Sequence, residues 1–109
     1  MIRLSTDFWV AAYLARLDAM GIPAHIVAKG DAEAGAVIVK VATMDGNASA
    51  YARVTGPDGE RKWDELVGAG PEGDTDAALT RQRSFDPDLW IIEVEDPKGR
   101  SLLEDEGLA

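Results

Sequence analysis

Cysteine is absent from the 109-residue chain, and histidine occurs once. Without cysteine the protein has no disulfide, no thiolate nucleophile and no zinc site with sulfur ligands, and this composition suits a reducing compartment. No apolar run reaches the ~18 residues that a membrane span needs, so we expect no membrane span. Three charged residues, Asp7, Arg16 and Asp18, interrupt the apolar N-terminal stretch, which argues against a secretory signal. We therefore expect a cytoplasmic protein.

Recognisable catalytic and cofactor motifs are also missing. The single histidine, His25, lies among apolar neighbours of a predicted strand, and no serine stands in a Gly-x-Ser-x-Gly turn. The loop GDAEAG at residues 30–35 holds Asp31 and Glu33, but it lacks the alternating oxygen ligands and the final glutamate of a calcium loop. These motifs predict no catalytic residue, no metal site and no cofactor.

Acidic residues dominate the charge: 20 Asp and Glu stand against 11 Lys and Arg, a formal net charge of −9. Residues 1–43 hold four basic and four acidic residues, whereas residues 44–109 hold seven basic and sixteen acidic ones. Binding to nucleic-acid phosphates depends on Lys and Arg, so this field opposes general nucleic-acid binding. It does not exclude a local basic patch.

Two turn signals organise residues 36–63 into three antiparallel strands. Asp45-Gly46 is typical of a two-residue hairpin, and Pro57-Asp58-Gly59 is typical of a three-residue loop. Because strand side chains alternate between faces, Val41 is expected opposite Ala50. The predicted buried face then consists of Val37, Val39, Val41, Ala50, Ala52 and Val54. The opposite face consists of Ile38, Lys40, Tyr51, Arg53, Arg61 and Trp63.

The second turn places Arg53 opposite Trp63 and Thr55 opposite Arg61. In this register Lys62 and Asp64 fall on the core side, so the third strand is expected to be short, at an edge, or bulged.

The remaining chain predicts two helices and two further strands. Their expected bounds are a helix from Ser5 or Thr6 to about Met20, a strand at Ile22–Lys29, a mobile loop at Gly68–Asp74, a helix at Asp76–Ser84, a strand at Leu89–Glu95 and a frayed tail at 104–109. Trp90, Ile92 and Val94 share one face of the last strand. The predicted fold is one α+β domain over residues 1–109: an antiparallel β-meander of about five strands, with both helices packed mainly on its Val/Ala face.

The first helix is apolar on more than one side. Its small and aromatic residues outside the main stripe are Phe8, Trp9, Ala11, Ala15 and Ala19. A helix of this kind is covered either within the domain or by another subunit. We expect this surface to contribute to a homodimer, with coverage by the second helix or the tail as the alternative.

Several stretches together resemble a known family. They are TDFWVAAYL, GDAEAGAVIVKV, the Arg61–Trp63 triplet RKW and, most specifically, RSFDPDLWIIEVEDPKGRSLL. They are similar to an uncharacterised family of short, single-domain bacterial proteins known only as a domain of unknown function. The resemblance implies a cytoplasmic bacterial protein, and it implies no activity, ligand or catalytic residue.

The favoured function is a non-enzymatic binding or adaptor domain that uses the basic and aromatic sheet face. Its candidate binding residues are Lys40, Tyr51, Arg53, Arg61 and Trp63. Arg53 and Trp63 are expected to form a cation–π pair across the strands, and the partner is expected to be a protein.

Two alternatives stay open. The order of elements is similar to that of the restriction-endonuclease core, which would make the protein a metal-dependent hydrolase or nuclease. Ile38 stands where that chemistry needs an acid, which leaves a site built from Glu93, Glu95 and Asp96. The other alternative is weak binding of single-stranded nucleic acid, in which Tyr51 and Trp63 stack on bases beside the cations of Arg53, Arg61 and Lys40.

Overall fold

Two helices and five strands are present in the computed structural model, which describes residues 4–105. They are α1 (Thr6–Ala19), β1 (Ala24–Ala28), β2 (Val37–Ala42), β3 (Asn47–Thr55), β4 (Arg61–Pro71), α2 (Glu72–Phe85) and β5 (Trp90–Glu95). The predicted α+β composition, with one helix before the sheet and one before the last long strand, is confirmed. No helix in residues 4–105 is long and apolar enough to cross a membrane.

The five strands form one mixed sheet in the order β1-β5-β2-β3-β4. β5 lies between β1 and β2, antiparallel to the former and parallel to the latter. The prediction of a purely antiparallel meander is therefore wrong beyond β2, β3 and β4. The physical reason is α2, which carries the chain across the sheet so that β5 enters beside β2. A strand in that position is buried on both faces, as the run Leu89–Val94 allows.

The first hairpin is one residue longer than predicted. The backbone N–H of Thr43 donates to the carbonyl of Asn47, so three residues form the loop. Met44 has φ 64° and Gly46 has φ 89°, and the Asp45 carboxylate accepts hydrogen bonds from the Thr43 hydroxyl and the Asn47 N–H. A slip of one residue moves every side chain of one strand to the other face relative to its partner.

The predicted Val/Ala face is consequently wrong. Val39 lies opposite Tyr51, and Lys40 lies opposite Ala50. The valines and the alanines therefore occupy opposite sides of the sheet. We call these sides the α1 face, with Val37, Val39 and Val41, and the α2 face, with Ile38, Ala50 and Ala52.

Each helix covers its own side of the sheet, and the prediction that both pack on one face is wrong. On the α1 face, Val10, Tyr13 and Leu17 pack against the valines and against the side of β5 that carries Trp90, Ile92 and Val94, as predicted for that strand. On the α2 face, Leu79 packs against Ile38, Ala50 and Ile91. Both faces are therefore apolar cores.

The second hairpin agrees with its prediction. Arg53 pairs with Trp63, and Thr55 pairs with Arg61. Around the turn, the N–H of Gly56 donates to the carbonyl of Glu60 at 2.7 Å. Gly59 has φ 83°, the left-handed conformation expected of it.

β4 was expected to be short, at an edge, or bulged. It is an edge strand with register irregularities opposite Ala48–Tyr51, and at 11 residues it is not short. The mobile loop predicted at Gly68–Asp74 is wrong, because β4 continues to Pro71 and α2 begins at Glu72. The N–H of Glu72 donates to the carbonyl of Gly46 at 2.9 Å. This contact fixes the start of α2 on the first hairpin.

Residues distant in sequence hold α1 in place. The Thr6 hydroxyl donates to the carbonyl of Gly35 at 2.9 Å, and the Tyr13 hydroxyl donates to the carbonyl of Ser101 at 2.7 Å. Leu103 is buried in the same core, and Arg16 forms an ion pair with Asp105 at 3.4 Å. The chain is thus anchored to α1 as far as Asp105, and the rest of the predicted frayed tail, residues 106–109, lies outside the described residues.

Candidate functional site

Four of the five predicted binding residues lie together at the β3–β4 end of the α1 face. Tyr51 and Arg53 come from β3, and Arg61 and Trp63 come from β4. All four side chains are half-buried. The second hairpin brings them together through its register, so local turn chemistry is sufficient to predict this grouping.

Trp9 of α1 is the centre of this group. The guanidinium of Arg53 lies 5.0 Å from the centroid of the Trp9 ring. The centroids of the Trp9 and Trp63 rings are 5.6 Å apart. Trp9 also stacks on Tyr13, with ring centroids 5.0 Å apart. The cation–π partner of Arg53 is therefore Trp9, whereas the predicted partner was Trp63. We call Tyr51, Arg53, Arg61 and Trp63 the arginine–tryptophan surface.

The indole of Trp63 has a polar group that the protein leaves unused. Its Nε1–H is shielded from solvent and has no hydrogen-bond acceptor within residues 4–105. Packing against Trp9, rather than a hydrogen bond, therefore sets the position of the ring.

Lys40, the fifth predicted binding residue, lies on the α2 face, and its assignment to the basic surface is wrong. Its side chain is 4% exposed. The ammonium group contacts three carboxylates: Glu72 at 2.6 Å, Asp76 at 2.7 Å and Glu93 at 3.0 Å. Burial alone would lower the pKa of Lys40, but the hydrogen bonds that its ammonium group donates to these carboxylates outweigh burial, and the pKa is raised. Lys40 is therefore a charged structural residue.

A groove of about 420 Å³ runs beside Lys40, between α2 and the strands β1 and β5. Its walls are largely apolar, with side chains from Val27, Leu79 and Ile91. Its charged members are Lys40, Asp76, Arg83 and Glu93. The guanidinium of Arg83 donates to the carbonyls of Lys29 and Pro87, so it ties α2 to the loops at its C-terminal end.

A second polar group lies on the α2 face where β1 meets β5. His25 pairs with Glu93 across the two strands, and its Nδ1 lies 3.8 Å from a carboxylate oxygen of Glu95. One potential ligand atom from each of these three residues lies within 4.8 Å of the others. They form the one such group of three or more His, Asp and Glu side chains in residues 4–105.

Asp96 does not join Glu93 and Glu95, and this part of the predicted acidic site is wrong. Its carboxylate accepts hydrogen bonds from the backbone N–H and the guanidinium of Arg100, at 2.7 to 3.1 Å. These bonds lower the pKa of Asp96 and close the turn after β5. His25 stands in its place, and sequence reasoning missed it because the pairing of β1 with β5 depends on the whole sheet.

Comparison with known families decides the relationship of this chain. A family model described as "Protein of unknown function (DUF1491)" matches residues 4–104. The chain belongs to the DUF1491 family. The resemblance to an uncharacterised family that the sequence motifs predict is therefore confirmed.

Three solved structures share the fold, and two of them are of DUF1491 family proteins. A crystal structure of a family member from Caulobacter crescentus CB15 is 45% identical, with a TM-score of 0.86, covering 94% of this chain and 96% of the other. An NMR structure from the same organism is 44% identical, with a TM-score of 0.84 and coverages of 95% and 96%. The solution structure of protein Atu0922 from A. tumefaciens is 29% identical, with a TM-score of 0.79 and coverages of 94% and 93%. No curated protein matches the chain.

Proposed function

We propose that this DUF1491 protein is a non-enzymatic binding domain and that the arginine–tryptophan surface contacts an acidic segment of another protein. The observation that carries the proposal is the position of Arg53 and Trp63 against the buried Trp9. Side chains held in this way lose little conformational entropy when a partner binds, so more of the interaction energy appears as affinity.

The chemistry of the surface indicates the kind of partner. Arginine binds carboxylates through two parallel hydrogen bonds, and arginine and tryptophan are enriched among the residues that dominate interface energies. Arg53 and Arg61 stand together in the part of the chain that carries the acidic excess. An acidic partner segment that reaches this surface meets two cations there and meets repulsion over much of the remaining protein.

The test is the affinity of partners recovered from lysate by the wild-type protein. Each partner is purified and titrated with wild type, with the variant R53E/R61E and with the control Arg81→Glu, whose arginine is exposed on α2. We expect at least a tenfold loss of affinity for R53E/R61E, about 1.4 kcal/mol, and a weakening with added salt. Equal affinity of every partner for all three proteins would refute the proposal.

A second candidate function is self-association through α1. Phe8 is 59% exposed, and Ala11, Ala15 and Ala19 are exposed at helical spacing on the same side of the helix. Trp9, which was expected in this surface, is 4% exposed and belongs to the core of its own subunit. Neither α2 nor residues 101–105 cover this stripe, which favours a second copy of the chain as its partner.

Sedimentation velocity across micromolar concentrations tests this second function. We expect a dimer for wild type and a monomer for Phe8→Glu, because a charge in an apolar interface opposes association. A wild-type protein that is monomeric at every concentration would exclude the dimer and leave the arginine–tryptophan surface unaffected.

The position of Lys40 also affects the nucleic-acid alternative. That hypothesis used Lys40 as a cation beside Tyr51 and Trp63, and Lys40 lies on the other side of the sheet. We therefore propose a protein partner and no nucleic acid. We further propose a cytoplasmic bacterial protein, on the strength of its cysteine-free composition and its family.

A further inference from the structure

We propose that His25, Glu93 and Glu95 form a binding site for one divalent transition-metal ion of the Zn²⁺ or Mn²⁺ class. The site lies on the α2 face, on the opposite side of the sheet from the arginine–tryptophan surface. It is therefore independent of the proposed partner binding. It uses residues from two adjacent strands, so the backbone pairing of β1 with β5 sets their spacing.

The geometry comes from the register of these strands. His25 and Glu93 are direct cross-strand partners, and Glu95 lies two residues further along β5, so all three point to one face. The three ligand atoms already lie within 4.8 Å of one another, and the His25 Nδ1 is 3.8 Å from the Glu95 carboxylate. Metal–ligand distances of about 2.0 to 2.2 Å put ligand atoms roughly 3 to 4 Å apart, so small side-chain rotations suffice.

The charge around the site favours a cation. Lys40 contacts the three carboxylates of Glu72, Asp76 and Glu93, which leaves this cluster with a formal charge of −2, and Glu95 adds another negative charge. A carboxylate has two oxygens with several lone pairs, so the contact of Glu93 with Lys40 leaves it able to bind a metal. A divalent ion would neutralise most of this excess.

The ligand types indicate which ion binds. Imidazole together with carboxylates suits zinc, manganese and related transition metals, whereas calcium and magnesium prefer oxygen ligands throughout. Three protein ligands leave at least one position for water or another ligand, as in zinc sites that are not purely structural. Glu93 also lines the groove beside Lys40, so a ligand in the groove would lie next to the ion.

The alternative is that His25 and Glu95 form a simple surface contact and bind no metal. The composition of the chain allows an experiment that distinguishes the metal site from this contact. His25 is the only histidine and cysteine is absent, so any imidazole-bound metal in untagged protein is bound at this position. The imidazole resonances of His25 are therefore a direct reporter. The variants are His25→Ala and Glu95→Gln, and the control is Glu33→Gln, an exposed carboxylate in the loop before β2.

The experiment titrates untagged protein with Zn²⁺ by calorimetry and records the His25 imidazole signals by NMR. We expect one equivalent to bind, a saturable shift of these signals, and at least a tenfold weaker affinity for His25→Ala and for Glu95→Gln, with Glu33→Gln unchanged. Backbone amide spectra establish that each variant is folded. Imidazole signals that stay constant up to millimolar Zn²⁺, or equal affinity of His25→Ala and wild type, would overturn the proposal. Tighter binding of Mg²⁺ than of Zn²⁺ would overturn the class of ion.

Discussion

Replacing Lys40 with methionine removes the cation that three carboxylates share. Methionine keeps the length and much of the volume of the side chain, so the main change is the loss of charge. Glu72, Asp76 and Glu93 then face one another across a space that the ammonium group occupied, at 2.6 to 3.0 Å from each. The variant should therefore have a lower free energy of unfolding, because it leaves three like charges close together. The small change in side-chain volume contributes little to this loss.

The size of the effect follows from burial. Removing one partner of a buried ion pair costs about 3 to 5 kcal/mol. Glu72 and Asp76 are 39% and 56% exposed at their side chains, so water relieves part of the repulsion, whereas Glu93 is 19% exposed. We expect a loss of about 2 to 3 kcal/mol, from a total stability of about 5 to 15 kcal/mol. The midpoint of urea unfolding should fall by roughly 1 to 2 M.

Two further variants complete the experiment. Lys29→Met, at an exposed lysine, should change the free energy of unfolding by less than about 0.5 kcal/mol. The double variant K40M/E93M should recover at least half of the loss, because apolar residues of similar volume often replace a buried ion pair without cost. A free energy of unfolding for Lys40→Met within about 0.5 kcal/mol of the wild-type value would show that the three carboxylates do not need the ammonium group.

Three other predictions concern the α1 face and the loop before β2. Val39 has no exposed surface, so Val39→Asp should not fold, and a cooperative thermal transition by circular dichroism would contradict this. Burial raises the pKa of Tyr13, so the stability that its neutral hydroxyl contributes is complete below the unfolded-state pKa of about 10 and is lost as the pH rises further. Between pH 8 and pH 11 the free energy of urea unfolding should therefore fall less for Tyr13→Phe than for wild type. Equal falls for the two proteins would contradict this prediction. In Gly35→Ala the new methyl group would lie 2.5 Å from the carbonyl oxygen of Asp88. We therefore expect the free energy of unfolding in urea to fall by more than about 1 kcal/mol. A free energy equal to that of wild type would contradict the close packing of this loop.

The sequence predicts those parts of the sheet that depend on local chemistry. Proline and glycine define the second turn, and the pairing of Arg53 with Trp63 follows from it directly. The first hairpin fails because Met44 adopts a positive φ, which propensities do not anticipate for a residue with a side chain. That one residue exchanges the faces of β2 relative to β3 and moves Lys40 from the predicted surface to a core.

The remaining errors concern contacts between distant parts of the chain. The pairing of β5 with β2 depends on how α2 crosses the sheet, although the apolar residues on both sides of β5 are typical of a central strand. The carboxylates that compensate Lys40 lie on α2 and β5, far along the sequence. The group of His25, Glu93 and Glu95 cannot be predicted from the sequence for the same reason, because only the pairing of β1 with β5 brings these residues together.

Photocrosslinking in the host cell tests whether the arginine–tryptophan surface binds an acidic protein. Benzoylphenylalanine replaces either Thr55 or Gln82. Thr55 is an exposed residue two positions after Arg53 and directly opposite Arg61, and Gln82 is an exposed residue on α2. We predict a specific adduct with an acidic protein from position 55, its loss in the R53E/R61E background, and no matching adduct from position 82. The same adduct from position 82, or one from position 55 that persists in R53E/R61E, would contradict the claim that the arginine–tryptophan surface is the binding site.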